Sequence, residues 1–378
     1  MRPSRIDVDL APVAHNVAAL TALVAPAEVC VVVKGDGYGH GAVAVGRVAL
    51  GAGATWLAVA LLEEGAVLRA AGIDAPILML SEPGLDSFDM AVAEAVTPTV
   101  YTLAGIEAAS AASSRAGRGP FDVHLKVDSG MHRVGADARD AVALAERITA
   151  DPALRLGGVW THLATAEVVD EPSNTGQLDR FDEVLSALRA AGIDPGLVHA
   201  ANSAGTLCHP RSRFDLVRCG LTVYGIAPSP ECAGVVDLRP AMRVSSEVAF
   251  VRRVEAGEAI SYGGRLVLDA PRWIATVPIG YADGVRRALG STGGEVLVGG
   301  RRVPIAGTIT MDQLMIDLGD ASDVDAGPPA AVGDEVVLLG AQCDERIAAD
   351  EWATRLGTIS YEVVCGFGPR LPRVYSGG

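Results

Sequence analysis

From residue 29 to 33 the chain is continuously apolar and mostly β-branched (Val-Cys-Val-Val-Val), and the run stops at one lysine, Lys34. Such a run predicts a strand buried on both faces. An Ala/Val-rich helix is predicted over 42–50. The alternation then repeats: a strand over 56–60, a helix over 63–71 closed by Gly72, and a strand over 76–80 broken off by Glu82-Pro83-Gly84. Further strands are predicted over 98–101, 121–127, 156–161, 197–200 and 214–217, with helical periodicity clearest over 138–148 and 177–191. Strand–helix units in this order predict an α/β fold, a (β/α)8 TIM-type barrel over residues 10–235, in preference to an open doubly wound sheet. Beyond residue 235 the period changes. Short apolar runs at 245–251, 273–278, 295–298, 302–306, 314–318 and 335–339 are separated by Gly-Gly, Asp-Gly and Pro. They predict a mostly β C-terminal domain over 236–378, joined by residues 1–9.

The polar interruptions fall where a barrel carries its chemistry, at the ends of strands. Lys34 ends the first strand and is followed by Gly35, Gly37, Gly39 and Gly41 around Asp36, Tyr38 and His40. These glycines fit neither the dinucleotide pattern nor the P-loop, because the lysine precedes them. Spacing alone leaves two readings open. Lys34 either snorkels to solvent from a βα turn, or it is a desolvated amine of lowered pKa suited to nucleophilic chemistry. Arg133 follows the fifth strand, His162 the sixth, His199, Asn202 and Ser203 the seventh, and Arg218 the eighth, just before Gly220. Any one of these could be a satisfied structural group. Several at equivalent ends of one barrel point to a shared site. The β domain has its own polar islands at Tyr262, Tyr281, Met311-Asp312 and Tyr361.

Composition narrows the partners. The net charge of −15 argues against nucleic acid or an anionic membrane as the main ligand, while leaving room for a local anion pocket. No apolar run approaches a membrane span, and the first residues lack the apolar core of a signal peptide. The six cysteines are scattered without a C-x-x-C pair, which predicts free thiols in a cytoplasmic protein. The seven histidines show no metal-binding spacing.

Together the segments VVKGDGYGHG, DSGMHRVG, HAANSAG, VRCGLTVYG, ISYGG, PIGYADG, TMDQLMIDLG and SYEVVC resemble, in order and over nearly the whole chain, the alanine racemases. These are pyridoxal 5'-phosphate enzymes built from a barrel and a β domain. The resemblance implies that Lys34 forms the Schiff base with the cofactor aldehyde. It implies that Tyr38, Ser203, Gly220, Leu221 and Tyr361 hold the phosphate, that Arg218 faces the pyridine nitrogen with His199 behind it, and that His162 packs beside the ring. Arg133 matches a group near the cofactor's phenolic oxygen and the substrate carboxylate, and Lys126 a lysine that is carbamylated in many relatives. Lys34 and Tyr262 match the two bases that work on opposite faces of the α-carbon. Tyr262, Tyr281 and Met311 match positions contributed by the partner subunit, which implies a homodimer with shared sites.

The implied activity is interconversion of L- and D-alanine, supplying D-alanine for peptidoglycan. Two other readings keep the cofactor: a broad-specificity or serine-preferring racemase, and a cofactor-binding protein without turnover. Tyr262 and the full β domain argue against the latter. A decarboxylase of related architecture would carry a carboxylate where Arg218 stands. Departures from the family are Gly-Asp-Gly after Lys34, where Ala-Asp/Asn-Ala is commoner and which suggests a more mobile loop, and Thr310 where cysteine is frequent.

Overall fold

The computed structural model describes residues 2–323 and 325–378, in two compact units. One unit is residues 12–239. Its strands are β1 (Glu28–Val32), β2 (Trp56–Val59), β3 (Ile77–Met79), β4 (Val96–Thr97 continuing as Thr99–Val100), β5 (Phe121–Asp128), β6 (Leu154–Trp160), β7 (Leu197–His199) and β8 (Leu216–Cys219). All pair in parallel: β8 with β1, β1 with β2, β2 with β3 and β3 with β4 on one side, then β4 with β5, β5 with β6 and β6 with β7 on the other. The Asp215 N–H to the Val198 carbonyl (3.0 Å) and the Arg218 N–H to the Ala201 carbonyl (3.0 Å) close β7 against β8. The result is the (β/α)8 barrel.

Helices cover the outside of these strands and side chains fill the inside, so both faces are buried and Val29, Val31, Leu57, Val59, Ile77 and Val217 are all inaccessible. Two strand bounds differ from the sequence reading. Pro98 lacks an N–H and divides β4, and β6 starts at Leu154 rather than at residue 156. The helix Leu10–Val24, ahead of β1, was not anticipated by the alternation.

The other unit comprises residues 1–11 and 240–378. The strand Arg5–Asp9 sits between Met242–Glu247, antiparallel, and Arg373–Ser376, parallel. A second sheet pairs Phe250–Val254, Arg272–Val277 and Leu314–Asp320 in antiparallel register. Val254, Ile260, Leu268, Ile274 and Ala306 form a core cluster of this unit. The unit is not β alone: Ala349–Leu356 and Ser360–Cys365 are helices. Ala349–Leu356 buries Ala349, Trp352 and Ala353 and ends at Gly357 in the left-handed conformation.

The cysteine reading also needs correction. Cys208 and Cys232 are joined as a disulfide with Cα atoms 6.1 Å apart. The short turn Pro230–Cys232 returns to the helix Ser203–Cys208, a contact that spacing alone does not reveal. Cys30, Cys219 and Cys343 keep their thiols. Among the described residues no helix is long and apolar enough to cross a membrane.

Candidate active site

The C-terminal ends of the barrel strands converge on Arg218, at the end of β8. Its guanidinium is buried and donates to His199 Nδ1 (2.8 Å), to the carbonyls of Thr161 (2.9 Å) and Ala200 (3.1 Å), and to His162 Nδ1 (3.3 Å). It lies 4.4 Å from the centre of the Trp160 ring. Among the described residues it has no carboxylate partner. Burial therefore lowers its pKa to about 10, with only the nearby thiols Cys30 and Cys219 favouring the charge. The imidazoles around it stay neutral. Burial first, then the guanidinium, holds His199 and His162 well below the ordinary histidine range. His199 Nε2 in turn lies 3.0 Å from His124 Nδ1, a contact that sequence reasoning missed. Burial pushes His124 down to about 4.

Beside Arg218 lies a pocket of hydroxyls. Gly220 opens a 3-10 turn over Leu221–Tyr224, and its N–H donates to Ser203 Oγ (2.9 Å). Thr222 Oγ1 donates to the same oxygen (3.2 Å). Ser203 begins a short helix capped by Asn202, whose side chain accepts the Gly205 N–H (2.9 Å). A Cβ placed on Gly220 would stand 2.6 Å from Tyr38 Oη, so this residue must be glycine for the tyrosine hydroxyl to enter. Tyr38, Ser203, Gly220 and Leu221 are thus brought together. Thr222 belongs with them and gave no sequence signal, since a threonine after an apolar leucine reads as an ordinary strand or turn residue.

Lys34 starts a turn with left-handed backbone at Gly35 (φ 62°), Asp36 (51°), Gly37 (61°) and Tyr38 (53°). Left-handed runs are costly for residues with a Cβ, and glycine at 35 and 37 removes that cost at two of the four positions. Side chains pin the turn at both ends. Glu64 Oε1 accepts the Gly35 N–H (2.6 Å) while its other oxygen caps the helix Leu62–Ala70 at Ala60 (2.8 Å) and Leu61 (3.1 Å). Asp36 Oδ1 accepts the Ala42 N–H (2.9 Å). Lys34 is half-buried and Tyr38 buried.

Lys126, near the end of β5, points inward with its Nζ 4.4 Å from the centre of the Trp160 ring. Burial first, then the charges of Arg218 and Arg133, lower its pKa to about 7. Two residues on, Asp128 Oδ1 gathers the N–H groups of Gly130 (2.9 Å), Met131 (2.9 Å) and His132 (3.1 Å), which shapes the loop bearing the exposed Arg133.

The second unit collects Tyr262, Tyr281 and Met311 around one segment. Thr308 Oγ1 donates to the Tyr262 carbonyl (2.9 Å), and the N–H groups of Tyr281 and Ala282 donate to the carbonyls of Thr310 (3.0 Å) and Met311 (3.0 Å). Gly280 permits this approach: a Cβ there would be 2.4 Å from both carbonyl oxygens. Buried Asp283 accepts the Gly280 N–H (2.9 Å) and pairs with Arg2. The three side chains project from this unit, Tyr262 75% exposed, Met311 52% and Tyr281 43%. Tyr361 belongs to this unit as well, in the helix Ser360–Cys365. Among the described residues no group of His, Cys, Asp and Glu is placed to hold a metal ion.

Residues 8–228 match the family described as alanine racemase, N-terminal domain, and residues 241–375 match alanine racemase, C-terminal domain. The chain belongs to the alanine racemase family. A curated alanine racemase of Symbiobacterium thermophilum is 42% identical over 377 residues, spanning 100% of this chain and 98% of the relative. Another, from Frankia casuarinae, is 43% identical over 374 residues, spanning 97% and 95%. The crystal structure of alanine racemase from D-cycloserine-producing Streptomyces lavendulae aligns with a TM-score of 0.92 at 38% identity, over 100% of this chain and 98% of that one. That from Bacillus anthracis, with bound L-Ala-P, aligns with a TM-score of 0.91 at 39% identity, over 100% and 96%. As a member of this family the chain is an isomerase, an amino-acid racemase.

Proposed function

We propose that the chain interconverts L- and D-alanine with pyridoxal 5'-phosphate held at the strand ends of its barrel, supplying D-alanine for peptidoglycan. The observation that carries this reading is Arg218, a buried guanidinium set among neutral imidazoles and backbone carbonyls with no carboxylate partner among the described residues. The hydroxyls of Tyr38, Ser203 and Thr222 at the start of a short helix fit a phosphate, which needs donors rather than net positive charge. Tyr361 is the further phosphate contact implied by the family. His162 fits a place beside the cofactor ring, held by its contact with Arg218.

When bound, the cofactor draws electron density from the substrate's α-carbon and makes its hydrogen acidic. Arg218 would hold the pyridine nitrogen as a hydrogen-bond donor, and because a guanidinium keeps its proton it would leave that nitrogen unprotonated. That would limit electron withdrawal and disfavour side reactions other than proton return. Arg133 orients the substrate carboxylate. The Lys34 amine takes or returns the α-proton on one face. Tyr262 of a second copy of the chain serves the opposite face, with Tyr281 and Met311 lining the substrate side. The exposure of these three side chains on their own unit suits a surface completed by a partner, and the active unit is a homodimer with shared sites. Lys126, its pKa lowered by burial to about 7, presents a substantial uncharged fraction near neutral pH and so suits carbamylation, and the resulting carbamate would orient Arg133.

The two-base assignment is tested by following α-proton exchange in deuterium oxide from each alanine enantiomer with Tyr262→Phe. Exchange should persist from one enantiomer and be lost from the other, with turnover depressed in both directions. Unchanged turnover in both directions would remove Tyr262 from the mechanism.

A further inference from the structure

His124 is inaccessible to solvent, lies two residues before Lys126 on β5, and has no role among the site residues named above. Its place is built for it. The pairing of β5 with β6 slips at this point, Val123 facing Leu156 and His124 facing Gly158, which leaves Gly157 unopposed. A Cβ on Gly158 would stand 2.7 Å from the His124 ring, and one on Gly157 3.3 Å away. Gly158 thus leaves room both for the Leu197 carbonyl, 2.6 Å from such a Cβ, and for the imidazole, while Gly157 leaves room beside the same ring. The ring also packs against Trp56 and His199, centroids 5.4 and 5.2 Å away.

The nitrogens form a chain of fixed direction. Arg218 can only donate, so His199 Nδ1 accepts and His199 Nε2 carries the proton. That proton points at His124 Nδ1, which must accept, so His124 carries its own proton on Nε2. Among the described residues His124 Nε2 has no partner, and the chain ends there. Protonating either imidazole would set donor against donor. Turning the His199 ring over would break both contacts together.

We propose that His124 is a positioning residue for Arg218: by accepting the His199 Nε2–H it fixes the ring orientation and tautomer in which His199 accepts from the guanidinium, and so keeps Arg218 aimed at the cofactor. The inference rests on the reading of Arg218 as the group facing the cofactor's pyridine nitrogen. With His124 replaced by a side chain that cannot accept, the His199 Nε2–H is left unmade in a dry site. The ring then gains by rotating away, and Arg218 loses its most directed contact.

The test compares wild type, His124→Leu and His124→Gln, the last retaining an acceptor oxygen. In the cofactor-free protein labelled with 15N-histidine, nuclear magnetic resonance should show His199 protonated on Nε2, with a coupling across the hydrogen bond to His124 Nδ1. In the loaded enzyme, His124→Leu should lower kcat for alanine by roughly tenfold or more, with KM little changed, and His124→Gln should recover most of that loss. A His199 protonated on Nδ1 in the wild type would overturn the proposal without any variant. Equal losses in both variants would reduce His124 to packing and overturn it as well. A wild type that racemises nothing would fault the functional reading, and the resonance result alone would then decide for or against the histidine contact.

Discussion

Lys126 offers the sharpest physical test of how the site handles charge. The residue is 3% exposed and its amine feels the charges of Arg218, Arg133 and Lys34, with Asp128 the opposing charge. A fall from 10.5 to about 7 sets about 4–5 kcal/mol against the charged form in the folded protein. The sign follows from proton counting. Between pH 7 and 10.5 the unfolded chain binds the proton that the folded chain has lost, so stability rises with pH across that window. Below pH 7 both states are protonated, and the penalty is present in full.

Lys126→Met removes the charge and keeps most of the length. In buffer free of carbon dioxide at pH 7 it should raise the melting temperature by roughly 8 °C or more, taking about 2–4 °C per kcal/mol for a unit of this size. The advantage should shrink steadily toward pH 10.5. Adding bicarbonate should stabilise the wild type alone, because the neutral amine takes up carbon dioxide, releases a proton and becomes an anion beside two arginines. Carbon-13 from labelled carbon dioxide should report that carbamate directly. A methionine variant that melts lower than wild type by the same margin at pH 7 and pH 10 would refute the reasoning.

Two further outcomes follow from the same site. The purified protein should show visible absorption from bound pyridoxal phosphate that is lost in Lys34→Ala; a wild type that takes up no pyridoxal phosphate would remove the cofactor from the account. Gly220→Ala should displace the Tyr38 hydroxyl, whose oxygen would lie 2.6 Å from the new Cβ, and weaken pyridoxal phosphate binding by about tenfold or more in a fluorescence titration. Unaltered affinity would mean that Tyr38 does not belong to the phosphate cradle.

The barrel was legible because strands buried on both faces read as unbroken apolar runs, and a polar residue at the end of such a run stands out. Lys34, His162 and Arg218 were visible for that reason. What stayed hidden was polarity inside a run and contact at a distance. His124 reads as one polar position in an alternating strand, and only the glycines of β6 and the ring of His199, 75 residues away, give it meaning. Thr222 is brought to the Ser203 hydroxyl from the end of the neighbouring strand. Tyr281 and Met311 stood out as islands between the strands, but only the family resemblance linked them to a site. Their junction depends on Gly280 admitting two carbonyl oxygens from a segment about thirty residues on. Helix Ser360–Cys365 was obscured by its β-branched valines, and the Cys208–Cys232 pair by the loop that returns between them.

The central claim is that Lys34 and the Arg218 site together racemise alanine. Its most direct test is incubation of the purified protein with pyridoxal phosphate and a panel of single L- or D-amino acids, with the enantiomers resolved over time. Alanine should racemise from both directions to an equal mixture, faster than serine or any other member of the panel. A protein that binds the cofactor yet leaves both alanine enantiomers unchanged would contradict the account.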